Sequence, residues 1–510
     1  MFKSALIAFC PPVLRKWQVR VESTPLGYRL VRGAFWSLVG SLISKGLGML
    51  AGIVVARVLG KHFYGQLGMV QSTAGTLGIF AGFGMGVTAN RHVAEFRRAD
   101  PERAGRIIAL SSVVSWVTGG IMTVVLVALA PWLARTTLGA PEMGGLLRSG
   151  SLLLLLGGVN GAQTGALAGF EAFKTIARVN LIAGLAAFPI TLVCAWFWGV
   201  EGSVWALVAN LALNCFLNFV ALRQEAARFG VPLSYAHCGE EWRVLWHFSI
   251  PAVLGGAIAG PTVWAVSTLL VNQPDGYSQM GVYNAVYRIR IVPEMILNML
   301  LAPLLPVLTE RYAAGDVKGY HKTAYSAFML SMVVVAPFAL IQIAFPALTL
   351  LPYGPGYAGH AGVVQWLMFD LVITGVFAPY SQLVTSMSKM WFGFVSMVSW
   401  TALFAVFSVF LVPRYGAAGF AAAPILGHLV CLAPCLIYLY RAEPVFMKGL
   451  PLLKLIPALA GLGAVSYACW RWLPPAATIG LGCLFVLALW PFRHQFLDPI
   501  MARSRVVDPS

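Results

Sequence analysis

Fourteen stretches of about 18 to 25 mostly apolar residues restrict this chain more than any other feature. As a helix, a run of that length crosses the roughly 30 Å hydrocarbon layer of a bilayer. Within lipid the backbone N–H and C=O groups must pair inside the segment, so open sheets are excluded. The runs lie at about 34–56, 67–89, 107–131, 147–169, 179–198, 203–222, 247–271, 280–306, 324–349, 362–384, 392–412, 417–440, 453–473 and 475–491. The expected fold is therefore all-α and polytopic. Composition agrees: 59% of residues are hydrophobic and 10% charged, too few polar residues to cover a water-soluble surface.

The net charge of +17 suggests nucleic acid until its distribution is considered. Most Lys and Arg occupy short segments on alternate sides of the runs, which is the positive-inside pattern. No nucleic-acid partner is expected. The bias places both termini and the Arg91–Arg106, Arg223–Trp246 and Thr309–Thr323 loops on the cytoplasmic side of an inner (cytoplasmic) membrane. The eight cysteines lie in or beside apolar runs without metal-ligand spacing, and no phosphate-binding glycine loop occurs. No metal, cofactor or catalytic residue is expected. The apolar run Ala5–Leu14 is short and broken by Pro11 and Pro12, unlike a cleavable signal.

The chain also repeats itself. Tyr64-Gly-Gln-Leu-Gly-Met-Val-Gln71 answers Tyr277-Ser-Gln-Met-Gly-Val-Tyr-Asn284, Asp100 answers Asp316, and Gly202 answers Gly419. Offsets of 213 to 217 amount to six spans, an even number, so the two halves run in the same direction. The expected domains are a tail (1–33), an N-lobe (34–222), an inter-lobe loop (223–246), a C-lobe (247–440), and spans 13 and 14 with a cytoplasmic tail (441–510). Related lobes of this kind commonly hold substrate between them near the bilayer midplane.

Charged and polar residues inside the spans are the candidate site, because burying them in lipid is expensive. Lys45 lies mid-way along span 1, on a face with Ser37, Ser41, Ser44 and Gly48, too deep for its stem to reach the surface. The residues between spans 1 and 2, Arg57 to Gln66, read as a short loop. Span 8 carries Arg288, Arg290 and Glu294. Arg290 and Glu294 are four apart and can pair, whereas no acid on its own helix reaches Arg288. Asp370, in span 10, reads either as a counter-ion for Lys45 or an arginine, or as a coupling site. Asn210, Asn214 and Asn218 form a stripe on span 6, read either as interhelical hydrogen bonding or as a polar cavity wall. His428 reads as a packed histidine. The net positive charge within the spans suits an anion such as a phosphate or pyrophosphate.

Five ordered stretches carry a family resemblance: Ala56-Arg-Val-Leu-Gly-Lys-His-Phe-Tyr-Gly65, Gly165-Ala-Leu-Ala-Gly-Phe-Glu-Ala-Phe-Lys174, Gly281-Val-Tyr-Asn-Ala-Val-Tyr287, Pro303-Leu-Leu-Pro306 and Pro413-Arg-Tyr-Gly-Ala-Ala-Gly419. With them the chain resembles the polysaccharide-biosynthesis (O-antigen, Wzx-like) flippases of the multidrug/oligosaccharidyl-lipid/polysaccharide exporter superfamily. The resemblance implies a V-shaped, two-lobe helical bundle that moves a polyprenyl-pyrophosphate-linked oligosaccharide across the membrane. It implies cations in a central cavity, where Lys45, Arg288 and Arg290 look similar; on this reading the polar faces of spans 1, 2 and 6, with Asn210 and Asn214, would solvate the sugars. The implied partners are the anionic glycolipid, membrane lipids, and polymerase and assembly proteins. The rival readings are a cation-coupled multidrug exporter of the same superfamily, for which Asp370 and Glu294 are the acidic candidates, and a membrane glycan polymerase or ligase. The short outer loops disfavour the last.

Overall fold

The computed structural model describes residues 25–233, 235, 238–242, 249 and 257–447. The first half comprises α1 (Pro25–Gly82), α2 (Met85–Phe96), α3 (Pro101–Trp132), α4 (Met143–Gly150), α5 (Leu152–Gly169) and α6 (Phe173–Phe229). The second comprises α7 (Ala259–Val271), α8 (Gly276–Leu301), α9 (Leu304–Ala313), α10 (Val317–Ala344), α11 (Pro346–Leu350), α12 (Ala361–Ser386), α13 (Met390–Ala442) and α14 (Pro444–Met447). Among the described residues eight helices are long and apolar enough to cross a membrane, and α7 is a shorter apolar one. The all-α, two-lobe architecture expected from the sequence is present. The predicted spans 13 and 14, and the tails, lie outside the described residues.

Three of these helices are too long for one crossing. At 1.5 Å per residue, the 58 residues of α1 would run about 87 Å, nearly three bilayer cores. Each is broken at one glycine of positive φ: Gly60 (73°) in α1, Gly199 (58°) in α6 and Gly416 (55°) in α13. A side chain would be strained there, so glycine is what lets the chain turn without a loop. This corrects the expected Arg57–Gln66 loop. Only Gly60 leaves the helix, and Lys61 to Gln66 are already helical.

The repeat is written into the backbone as well. Asp100 and Asp316, 216 apart, both cap a helix by accepting from the backbone N–H three residues on, that of Arg103 at 3.0 Å and of Gly319 at 2.9 Å. Glu171 (φ 57°) and Ser388 (φ 58°), 217 apart, are both left-handed, as are Gly60 and Asp275, 215 apart. The two halves thus place equivalent breaks at equivalent positions along the chain.

Apolar side chains cover the outer surface, with Trp196 71%, Phe197 70% and Val124 68% exposed, as lipid contact requires. Between the lobes, contact runs along α1 and α8. Gly65 lies against the Tyr277 carbonyl and Gly281 against that of Lys61, so the two backbones nearly touch. Beside this crossing, at the end of the bundle marked by Gly60, several bonds tie the lobes. Tyr277 donates to the Leu138 carbonyl (3.0 Å), Asn272 to the Thr137 carbonyl (2.7 Å) and Tyr357 to the Ala56 carbonyl (3.1 Å). Lys61 pairs with Asp275 at 3.5 Å. A hydrogen bond from Ser278, and then the Lys61 ammonium, hold the Asp275 carboxyl below the usual carboxylate range.

Candidate functional site: the cleft between α1 and α8

Below the crossing the two helices diverge around a cavity of about 740 Å³. Tyr64, Gly68, Gln71 and Ser72 of α1 form one wall, and Asn284, Tyr287, Arg288 and Ile291 of α8 face them. Those four α8 residues follow the i, i+3, i+4, i+7 spacing, so one stripe of the helix meets the cavity. Trp400, Phe404, Phe420 and His428 of α13 and Asp370 and Thr374 of α12 close the back. Arg288 is 12 residues beyond Gly276, about 18 Å along the helix and near the middle of a bilayer core.

The two span-8 arginines have different fates. Arg288 reaches across the cleft to α1. Its guanidinium lies 3.5 Å from the Gly48 carbonyl and 5.9 Å from the centre of the Tyr64 ring. It has no carboxylate partner among the described residues. Arg290 is buried and held by two carboxylates, Asp370 at 2.7 Å and Glu294 at 2.8 Å, and it donates to Thr374 at 3.0 Å. Its charge is therefore already compensated. Asp370, 2% exposed, is the counter-ion of Arg290 rather than of Lys45. Burial makes this pairing obligatory, since a lone carboxylate at that depth would cost several kcal/mol.

Lys45 is exposed and has no ion-pair partner among the described residues. It precedes Gly52 by seven residues, so it shares the face of α1 on which Gly52 abuts Arg288, about two turns away. Neighbouring Ser44 instead packs on Gly184 of α6. Asn210 and Asn214 are not among the residues lining the cavity. Asn210 donates to Thr191 (3.0 Å), and Asn218 donates to Asn214 (2.7 Å) and to Asn160 of α5 (2.9 Å). Of the two readings of that stripe, the geometry is that of interhelical hydrogen bonding inside the N-lobe.

Sequence reasoning missed part of this site. His428 is packed, between Trp400 (4.9 Å) and Phe377 (4.6 Å), but its Nδ1 is also 3.5 Å from Asp370. Only the approach of α13 to α12 produces that contact. The aromatic lining was also missed. Gln71 and Asn284 had a signal: they are equivalent in the repeat, and both line the cavity.

Residues 30–312 match the profile of a family described as polysaccharide biosynthesis protein. The chain belongs to that family. This polysaccharide biosynthesis family member is 25% identical to the lipopolysaccharide biosynthesis protein WzxC of Escherichia coli K12, over 86% of its own length and 87% of the relative's. It is 22% identical to the lipid III flippase of the same organism, over 80% and 97% of the two chains. Among solved structures it resembles the lipid II flippase MurJ in an inward closed conformation. The TM-score is 0.65 at 13% identity, over 90% of this chain and 99% of that one. It also resembles an inward-facing multidrug resistance MATE transporter of the MOP superfamily. There the TM-score is 0.63 at 15% identity, over 84% and 99% of the two chains. The structural likenesses establish a shared fold.

Proposed function

We propose that this family member is a flippase for a polyprenyl-pyrophosphate-linked oligosaccharide, working by alternating access without covalent chemistry. The observation that carries this reading is Arg288: a guanidinium without an acid partner among the described residues, in a large cavity between two repeated lobes. A guanidinium there offers fixed donors to a phosphate in a site of low dielectric. Lys45, on the same face of α1, supplies a second positive charge. Arg290 contributes architecture, since Asp370 and Glu294 already occupy it. The polyprenyl tail stays in lipid while the head group enters the cleft. The names of WzxC and the lipid III flippase support this substrate class.

On this reading the lobes comprise residues 34–222 and 247–440. Both termini are cytoplasmic, the membrane is the inner one, and the tied Gly60 end faces outward. Polymerase and assembly proteins would receive the exported glycan. The test is Arg288→Ala in a strain lacking its own flippase, scoring surface glycan and protein level together. Export should fall at least about tenfold at normal protein level, the loss of one charge-assisted contact worth roughly 1.5–3 kcal/mol. Normal export by Arg288→Ala would remove Arg288 from the site.

A further inference from the structure

The C-lobe wall of the cavity is aromatic as well as charged, and a diphosphate does not require that. Tyr287 lies next to Arg288 on α8, lines the cavity and is 38% exposed overall. Tyr283, one turn away, lies nearly parallel to it, with ring centres 5.8 Å apart and planes at 11°. Tyr283 in turn stands edge-on to Phe420 at 4.4 Å. The Arg290 guanidinium, 5.7 Å from the Tyr287 ring centre, fixes the ring further. Tyr287 is thus packed against Tyr283 and Arg290 and is still partly exposed.

Polar groups stand around this ring. The Nδ2 of Asn284, one turn before Tyr287 on the same stripe, packs against Gly68 of α1 and is buried without a hydrogen-bond partner. Gln71 of α1 lines the same cavity. Beyond Arg290, Asp370 and Thr374 of α12 line the same cavity. An aromatic ring bordered by amide, hydroxyl and carboxylate side chains matches a ligand with one C–H face and a rim of hydroxyls. That ligand is a pyranose sugar.

We infer that Tyr287, with Asn284 and Gln71, forms a subsite for the first sugar of the lipid-linked glycan, beside the diphosphate on Arg288. The inference rests on the flippase reading. The sugar is joined directly to the diphosphate, so a subsite for it must adjoin the anion site, and Tyr287 and Arg288 are consecutive residues on the cavity side of α8. Tyr287 contributes its ring face, Asn284 a donor to a ring hydroxyl or acetamido oxygen, and Gln71 the matching group from the opposite lobe. Each lobe then holds the head group, and the sugar helps bring them together.

The test measures binding of soluble probes to the purified full chain: farnesyl diphosphate, and farnesyl diphosphate carrying glucose, galactose or N-acetylglucosamine. At least one glycosylated probe should bind more tightly than farnesyl diphosphate. Tyr287→Ala should weaken that probe about three- to tenfold while leaving farnesyl diphosphate unchanged. Tyr287→Phe should retain the sugar's advantage, because the ring face remains. Arg288→Gln should weaken all probes alike. If Tyr287→Ala weakens farnesyl diphosphate as much as its glycosides, or weakens none, the subsite is refuted and the diphosphate site stands. If the wild-type chain binds no probe, the flippase reading itself fails and takes the subsite with it.

Discussion

Substituting Gly65 with alanine tests the closed end of the bundle directly. A methyl on Gly65 would overlap the Tyr277 carbonyl oxygen, with the carbonyl carbon at 2.8 Å and the Gly281 nitrogen at 3.0 Å. All three are backbone atoms, so no rotamer change relieves the clash. Reaching the 3.4 Å of ordinary contact requires α1 and α8 to part by about 0.6 Å at the carbon and more at the oxygen. Overpacking of this kind costs about 1–3 kcal/mol. The penalty falls only on conformations that keep the crossing closed, so the balance shifts about 5- to 150-fold toward opening there. Spin labels at Arg135 and Pro274, both exposed and on opposite lobes, report that gap in a background without the eight native cysteines. Gly65→Ala should widen the distance distribution and reduce export. Gly281→Ala, whose methyl would meet the Lys61 carbonyl, should do the same. Gly75→Ala has nothing within 4 Å and serves as the control. Unchanged distances and normal export in both seam variants would show that the crossing does not hold the lobes.

Arg290→Ala should lower protein level or melting temperature strongly, by about 3–5 kcal/mol, because it leaves buried carboxylates unpaired. Adding Glu294→Gln repairs only half of that defect, so recovery should need Asp370→Asn as well. Full recovery of protein level by the double variant would show that Asp370 does not depend on Arg290. The Lys61–Asp275 tie is partly exposed, so Asp275→Asn should cost less than about 1 kcal/mol in thermal unfolding. Because the Asp275 pKa is depressed in the folded protein, this contribution is complete above the free-acid value of 3.8. It is lost as the pH falls through the lower folded value, so Asp275→Asn and wild type should converge only in strong acid. Convergence near neutrality would contradict the assignment. Single cysteines at Asp100 and Asp316 should resist a membrane-impermeant thiol reagent in intact cells, and ready labelling of either would overturn the cytoplasmic placement of that end.

Apolar run length and backbone hydrogen bonding determined from sequence that this chain is a helical membrane protein, since lipid permits little else. The repeat was legible too. Asp100 and Asp316 are both capping residues, and the matched Gly202 and Gly419 each pack on the backbone eight residues before them. Those choices depend on neighbours a few residues away, which a sequence displays. Which cation is available for a ligand was decided by tertiary structure. Arg288 and Arg290 are two residues apart on one helix, and nothing in their spacing separates a free guanidinium from a compensated one. The separation comes from α12, 80 residues further on, whose Asp370 meets one face of α8 and not the other. The same holds for His428, whose neighbours Asp370 and Phe377 come from α12. Electrostatic compensation in a medium of low dielectric depends on distance in space, and distances between helices are set by how the lobes pack.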